Sequence, residues 1–224
     1  MKLNKSDPAL GIDVHKHLVS IGVETPMNYK KVVDDDGKME RLNSLFEQIL
    51  DELGMDRSDD SIEGTPMRLA KMYPYELCWG MDYRNFPKCT AVDNKMAYDE
   101  MVFENNITVK SLCEHHLIPI VGVAHVAYIP KDRVLGLSKL NRIVEFFSRR
   151  PQIQERLAEQ VYHTLNYILG TEDIAVVIKG QHLCVSHRGV NDTSSLTVTS
   201  KLGGSFRDKP AVRAEFMNLI NGGH

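Results

Sequence analysis

Met39, Leu42, Leu45, Phe46, Ile49, Leu50 and Leu53 recur at intervals of three and four, the spacing of one helix face. The pattern predicts an amphipathic helix over 39–53, preceded by the turn-forming run Asp34, Asp35, Asp36 and Gly37 and closed by Gly54. A second helix start is read at Thr65 and Pro66, with the threonine as N-cap and the proline at the first helical position. Arg68 and Lys71, three apart, share a face of that helix, and Pro74 is expected to end or kink it. Beyond residue 95 the pattern changes. Segments 101–110 and 118–129 are rich in Val, Ile and Thr and predict two strands. Ser138 is expected to cap a helix running through Lys139, Arg142 and Phe146. Pro151 is expected to open a longer helix whose buried stripe is Ile153, Leu157, Val161, Leu165 and Ile168, ending at Gly170. Segments 173–179, 181–187 and 195–200 read as further strands. The order predicts an α+β fold, a sheet with helices on one face, in residues 96–224, behind an N-terminal helical region at 1–95.

Composition narrows the class. The chain has 224 residues, 42% hydrophobic and 25% charged, with a formal net charge of -3. That balance speaks against a general nucleic-acid binder and leaves room for a local basic pocket. The first residues lack an apolar signal core and no run reaches membrane-spanning length, so a cytoplasmic protein without a membrane is expected. In that compartment the four cysteines stay reduced, which favours metal or core roles over disulfides. Cys78 and Cys89 read as core residues.

Cys113, His115 and His116 lie within four residues, and His182 and Cys184 within three. Thiolate with imidazole is a ligand set that zinc favours, although binding order alone admits other divalent ions. If Cys113, His116 and Cys184 meet on one ion, a fourth position stays open, as at catalytic zinc. His115 and His182 are then candidate acids and bases. Strand alternation over 181–187 predicts His182, Cys184, Ser186 and Arg188 on one face and His187 on the other. Ser138, Lys139 and Arg142 at a helix start suit an anion such as phosphate. Gln154 with Glu155 matches the donor-rich edge of guanine, although such pairs also occur on plain surfaces.

Read together, TPMRLAKMY at 65–73, SLCEHHLIPI at 111–120, AYIPKDRVLGLSKLNRIVEFFSRRPQIQERL at 127–157, HLCVSHRG at 182–189 and TSSLTVTSKLGG at 193–204 resemble GTP cyclohydrolase I. The resemblance runs from about residue 38 to 220. It implies the tunnelling fold, an antiparallel sheet carrying two helices, with subunit sheets joined into a β-barrel and two pentamers stacked as a decamer. It implies zinc-dependent hydrolysis of GTP to 7,8-dihydroneopterin triphosphate and formate, the entry to tetrahydrofolate-type pterins. By the same resemblance Cys113, His116 and Cys184 hold Zn2+, and His115 and His182 are catalytic. Gln154 and Glu155 recognise guanine. Ser138, Lys139, Arg142 and Arg188 hold the triphosphate, with Arg68 and Lys71 reaching in from a neighbouring subunit. Two rivals make different demands. A tunnelling-fold nitrile reductase of queuosine biosynthesis would use a cysteine nucleophile and a nicotinamide cofactor without zinc. A non-catalytic purine-binding zinc protein would not need its two spare histidines.

Overall fold

The computed structural model describes residues 6–222. Helix α1 (Pro8–Ser20) starts where the Asp7 side chain accepts a hydrogen bond from the Leu10 amide at 3.1 Å. It buries Val14 and Leu18 completely. After the short α2 (Tyr29–Val33), α3 (Lys38–Glu52) follows the predicted apolar spacing. It ends at Gly54, whose φ of 74° a residue with a Cβ rarely adopts. The partner helix α4 (Thr65–Met72) is entered from Gly64 as N-cap; Thr65 is already inside the helix. Pro74 does not stop the chain from coiling. The α-helix gives way at Met72 to a wider π turn, Tyr73–Leu77, closed by the bond from the Cys78 amide to the Tyr73 carbonyl. A turn of that width absorbs the N–H that proline lacks.

A small antiparallel pair joins β1 (Ala91–Asp93) to β4 (Arg133–Leu135). The main sheet is built from β2 (Val102–Cys113), β3 (Pro119–Tyr128), β5 (Pro151–Gln152), β6 (Ile174–His182) and β7 (Thr197–Leu202), in the order β5-β2-β3-β6-β7. All pairings are antiparallel except the short β5, which runs parallel to the end of β2. Pro151 therefore lies in a strand, and the long helix α6 (Gln154–Leu169) begins three residues later than its sequence signal. Helix α5 (Leu137–Ser148) starts after Gly136, so Ser138 sits in its first turn and not at its cap.

Period-two alternation sorts the sheet. Ala124, Val126, Val176 and Ile178 belong to the main core with Ile143, Phe147, Leu157 and Leu165 of α5 and α6. Val14, Leu18, Tyr83 and Phe86 belong to the same core, so α1 packs on the sheet domain. Ala127, Ala175 and Val177 point the other way, beneath Phe206 of α8 (Gly204–Asp208) and Phe216 of α9 (Pro210–Ile220). The two long helices thus share one face as expected, and the C-terminal pair covers one end of the opposite face.

Arg150 pins these layers together next to the site. It is fully buried between α5 and β5. Its guanidinium lies 4.7 Å, 4.8 Å and 5.1 Å from the ring centres of Phe146, Phe147 and Tyr83. It donates to the Thr25 hydroxyl, the Tyr83 hydroxyl and the Gly80 carbonyl. The Arg150 carbonyl in turn accepts from Ser111, near the end of β2. One cation therefore ties the N-terminal region to the strand end that carries Cys113.

Candidate metal centre

The turn between β2 and β3 is Cys113-Glu114-His115-His116-Leu117-Ile118. The Cys113 amide donates to the Ile118 carbonyl, and the amides of His116 and Leu117 donate back to the Cys113 carbonyl. Leu117 takes a φ of 53°, an unfavourable conformation for a side-chain-bearing residue. The result is a tight loop presenting two imidazoles above one buried thiol. Sγ of Cys113 lies 3.8 Å from Nδ1 of His115 and 3.7 Å from Nδ1 of His116.

The second segment differs from its expected form. Strand β6 stops at His182, and the helical turn α7 (Leu183–Ser186) follows. Strand alternation therefore does not align His182, Cys184 and Arg188. The helical turn brings Cys184 to the site instead: ligand atoms of Cys113, His116 and Cys184 all lie within 4.8 Å of one another. Arg188 arrives by its own contact, a guanidinium nitrogen 2.9 Å from Nε2 of His116. Burial and the neighbouring Cys113 thiol push the Cys184 thiol up, and Arg188 pulls it down. The donor set suits a soft or borderline divalent cation, whose charge would favour both thiolates.

A bidentate ion pair that sequence reading missed fixes the loop. Arg156 on α6 donates to the two carboxylate oxygens of Glu114 at 2.5 Å and 3.3 Å. The Glu114 amide donates to the Gln152 carbonyl, continuing the pairing of Cys113 with Gln152. The signal available was the carboxylate inside a Cys/His run, three residues upstream of Leu117. Its partner, 42 residues away, could not be read from spacing.

Gln154 opens α6 almost fully buried, at 2% exposure, with its side chain turned inward. Its amide nitrogen contacts the carbonyls of Ile178 and Thr197 and the Thr199 hydroxyl, and its oxygen contacts Nε2 of His182 at 2.9 Å. Burial pushes the His182 imidazole down, against the opposing pull of Glu155. Glu155 itself is exposed.

The basic residues are not gathered within one chain. Asn141, in the first half of α5, bonds to Glu104 at the far end of β2, whereas the chain after α5 meets β2 at Ser111 and Cys113. A helix of 12 residues is about 18 Å long. Ser138, Lys139 and Arg142 therefore start from the end of α5 remote from the Cys/His loop. Lys139 and Arg142 face Cys89 there, yet burial still pushes that thiol up to about 12. Arg68 and Lys71 lie exposed on α4. His187 caps α7 and has no part in the ligand group.

A Cys/His/Cys group able to hold a metal ion, at one end of an α+β sheet, fits the class of metal-dependent enzymes. The chain belongs to the GTP cyclohydrolase I family, whose model matches residues 42–221. It is 50% identical over 207 residues to the GTP cyclohydrolase 1 of Aliivibrio fischeri strain MJ11, covering 92% of this chain and 95% of that one. It is 48% identical over 204 residues to that of Aeromonas hydrophila, covering 91% and 93%. Among solved structures, a dihydroneopterin aldolase from Burkholderia thailendensis bound to guanine overlaps 50% of this chain and 97% of its own, at 10% identity and a TM-score of 0.30. That likeness is too slight to carry an argument. Among the described residues no helix is long and apolar enough to cross a membrane.

Proposed function

We propose that the protein hydrolyses GTP to 7,8-dihydroneopterin triphosphate and formate, with zinc held by Cys113, His116 and Cys184. The observation that carries this reading is the convergence of those three side chains within 4.8 Å, with His115 against Cys113 and His182 two residues before Cys184, in a chain of this family. Zinc, when bound, supplies Lewis acidity and lowers the pKa of a water at its open position toward neutrality. The chain supplies the rest. His115 and His182 move protons at the imidazole-ring nitrogen of guanine and at the ribose oxygen. Glu155, exposed at the start of α6, accepts from the N1–H and exocyclic amine of guanine. C8 leaves as formate, and the opened ribose recloses onto the freed amines.

The triphosphate falls to Arg188 beside His116 and to Ser138, Lys139, Arg142, Arg68 and Lys71. The distance between the two ends of α5 supports a site completed by a second copy of the chain, and hence an oligomer, which we take to be the decamer of two pentamers. Four free cysteines, two of them needed as thiolates, suit a reducing cytoplasm. The metal-free nitrile reductase reading leaves His116 and Cys184 without a task.

Formate release from GTP tests the proposal. Zinc-loaded protein is expected to produce formate, and chelation to abolish it. His115→Ala and His182→Ala are expected to fold and retain zinc yet release none. Full activity after metal removal, or in either histidine variant, would overturn the reading.

A further inference from the structure

The hydrogen bonds of Gln154 decide a question about His182. The Gln154 amide nitrogen lies 3.1 Å from the Ile178 carbonyl, 3.1 Å from the Thr197 carbonyl and 3.2 Å from the Thr199 hydroxyl. Carbonyl oxygens only accept, so the amide nitrogen must face them. The flipped amide would set oxygen against two carbonyl oxygens in a residue 2% exposed. The amide oxygen is thereby committed to the other side, 2.9 Å from Nε2 of His182. That oxygen cannot donate. Nε2 of His182 must carry the hydrogen, and the neutral ring keeps its lone pair on Nδ1.

We propose that Gln154 is a positioning residue that fixes the tautomer of His182, making Nδ1 the nitrogen that takes a proton from the reacting nucleotide and returns it. The nucleotide rests on the function proposed above, whereas the tautomer rests on hydrogen-bond geometry alone. When Nδ1 gains the proton, the ring becomes a cation with hydrogens on both nitrogens, and the Gln154 oxygen still accepts from Nε2. When the proton leaves Nδ1, the starting tautomer returns. No rotation of ring or amide is needed in either direction. Guanine recognition then falls to Glu155, because the side chain of Gln154 is engaged within the chain.

Gly180 makes room for this arrangement. A Cβ at that position would stand 2.5 Å from Oε1 of Gln154 and 3.4 Å from Cγ2 of Ile120. Gly180 lies two residues before the end of β6 with an ordinary strand backbone, so alanine is conformationally allowed there. The added methyl displaces the amide oxygen, the far end of a flexible side chain, away from the imidazole.

The test is nitrogen-15 NMR of the zinc-loaded full chain labelled at histidine, with the His182 signals assigned by their loss in His182→Asn. The wild type is expected to show hydrogen on Nε2 and a bare Nδ1. Gln154→Met and Gly180→Ala are expected to give a mixed or reversed tautomer. Their kcat for formate release should fall about 10- to 100-fold, with KM for GTP within about threefold of wild type. Gly180→Ala retains the glutamine and covers the case in which Gln154→Met fails to fold. Hydrogen on Nδ1 in the wild type, or variants that keep both tautomer and turnover, would overturn the proposal. A wild type that releases no formate would sink the function instead, and the tautomer signals would still decide the role of Gln154.

Discussion

Glu114→Gln keeps the shape of the side chain that anchors the Cys/His loop and removes its charge. Arg156, with a side chain 17% exposed, then faces a neutral amide where it had a carboxylate at 2.5 Å and 3.3 Å. Two unit charges 4 Å apart interact by about 4 kcal/mol at an effective dielectric of 20. Desolvation and side-chain ordering offset part of that, and hydrogen bonds to charged groups contribute about 1.5–3 kcal/mol net. Residual solvent contact at both ends puts the loss at about 2 kcal/mol. For a chain of this size each kcal/mol moves the melting temperature by about 2–4 °C, so a drop of about 4–8 °C is expected. The loop also presents Cys113 and His116, and zinc affinity measured by chelator competition should weaken about 10-fold. The decisive measurement is a double-mutant cycle with Arg156→Met. If the two groups act as a pair, the double variant is less destabilised than the sum of the singles by about 1–2 kcal/mol. Additivity within about 0.5 kcal/mol would refute the pairing argument.

Burial pushes the imidazoles of His125 and His15 down, with Lys179 and Arg150 acting in the same direction. Such groups bind protons more readily when unfolded, so stability is full above the ordinary value of 6.5 and drains as pH falls below it toward the folded pKa. The urea midpoint should decline from about pH 7.5 to about pH 5.5, and His125→Gln should flatten part of that slope; an unchanged slope refutes the assignment. Burial raises the Cys78 thiol to about 11 and the Cys89 thiol to about 12. A thiol reagent near neutral pH should leave both unmodified until the protein unfolds, and peptide mapping that finds either labelled in the folded state contradicts this. A Cβ on Gly80 would meet the Phe146 carbonyl at 2.0 Å, whereas one on Gly136 meets nothing within 4 Å. Gly80→Ala should cost about 3 kcal/mol and Gly136→Ala less than about 0.5 kcal/mol by chemical denaturation, and equal costs would refute the packing account.

Long periodic segments were the most legible part of the chain. The stripe at 39–53 became α3 at Lys38–Glu52 because a single amphipathic face is a local property. Helix α1 escaped because His15, Lys16 and His17 interrupt its apolar positions, although Asp7 followed by Pro8 is a start signal. Segment 181–187 reads as strand, but only Gln181 and His182 belong to β6, and Leu183–Ser186 form a helical turn. Its alternation of Leu183 and Val185 fits a helical turn as well as a strand, and periodicity cannot separate the two over so few residues. The Cys/His cluster was legible because five of the chain's thirteen cysteines and histidines fall in two short segments. The surroundings of Gln154 were not, because its partners lie 24 and 43 residues away on β6 and at the start of β7.

The short parallel strand between α5 and α6 has a consequence for how this chain tolerates change in length. Connections between elements ordinarily accept insertions and deletions, since they run over the surface. This one cannot. Gln152 is fully buried, donating to the Phe147 carbonyl and to Gln160, while its backbone pairs with the residues that begin the metal loop. One added residue between Arg150 and Gln154 would reverse the parity of the strand, turn Gln152 outward and rotate the start of α6 by about 100°. The five residues from Arg150 to Gln154 therefore act as a ruler. A single-residue change in its length would uncouple the Cys/His loop from the helix that serves it.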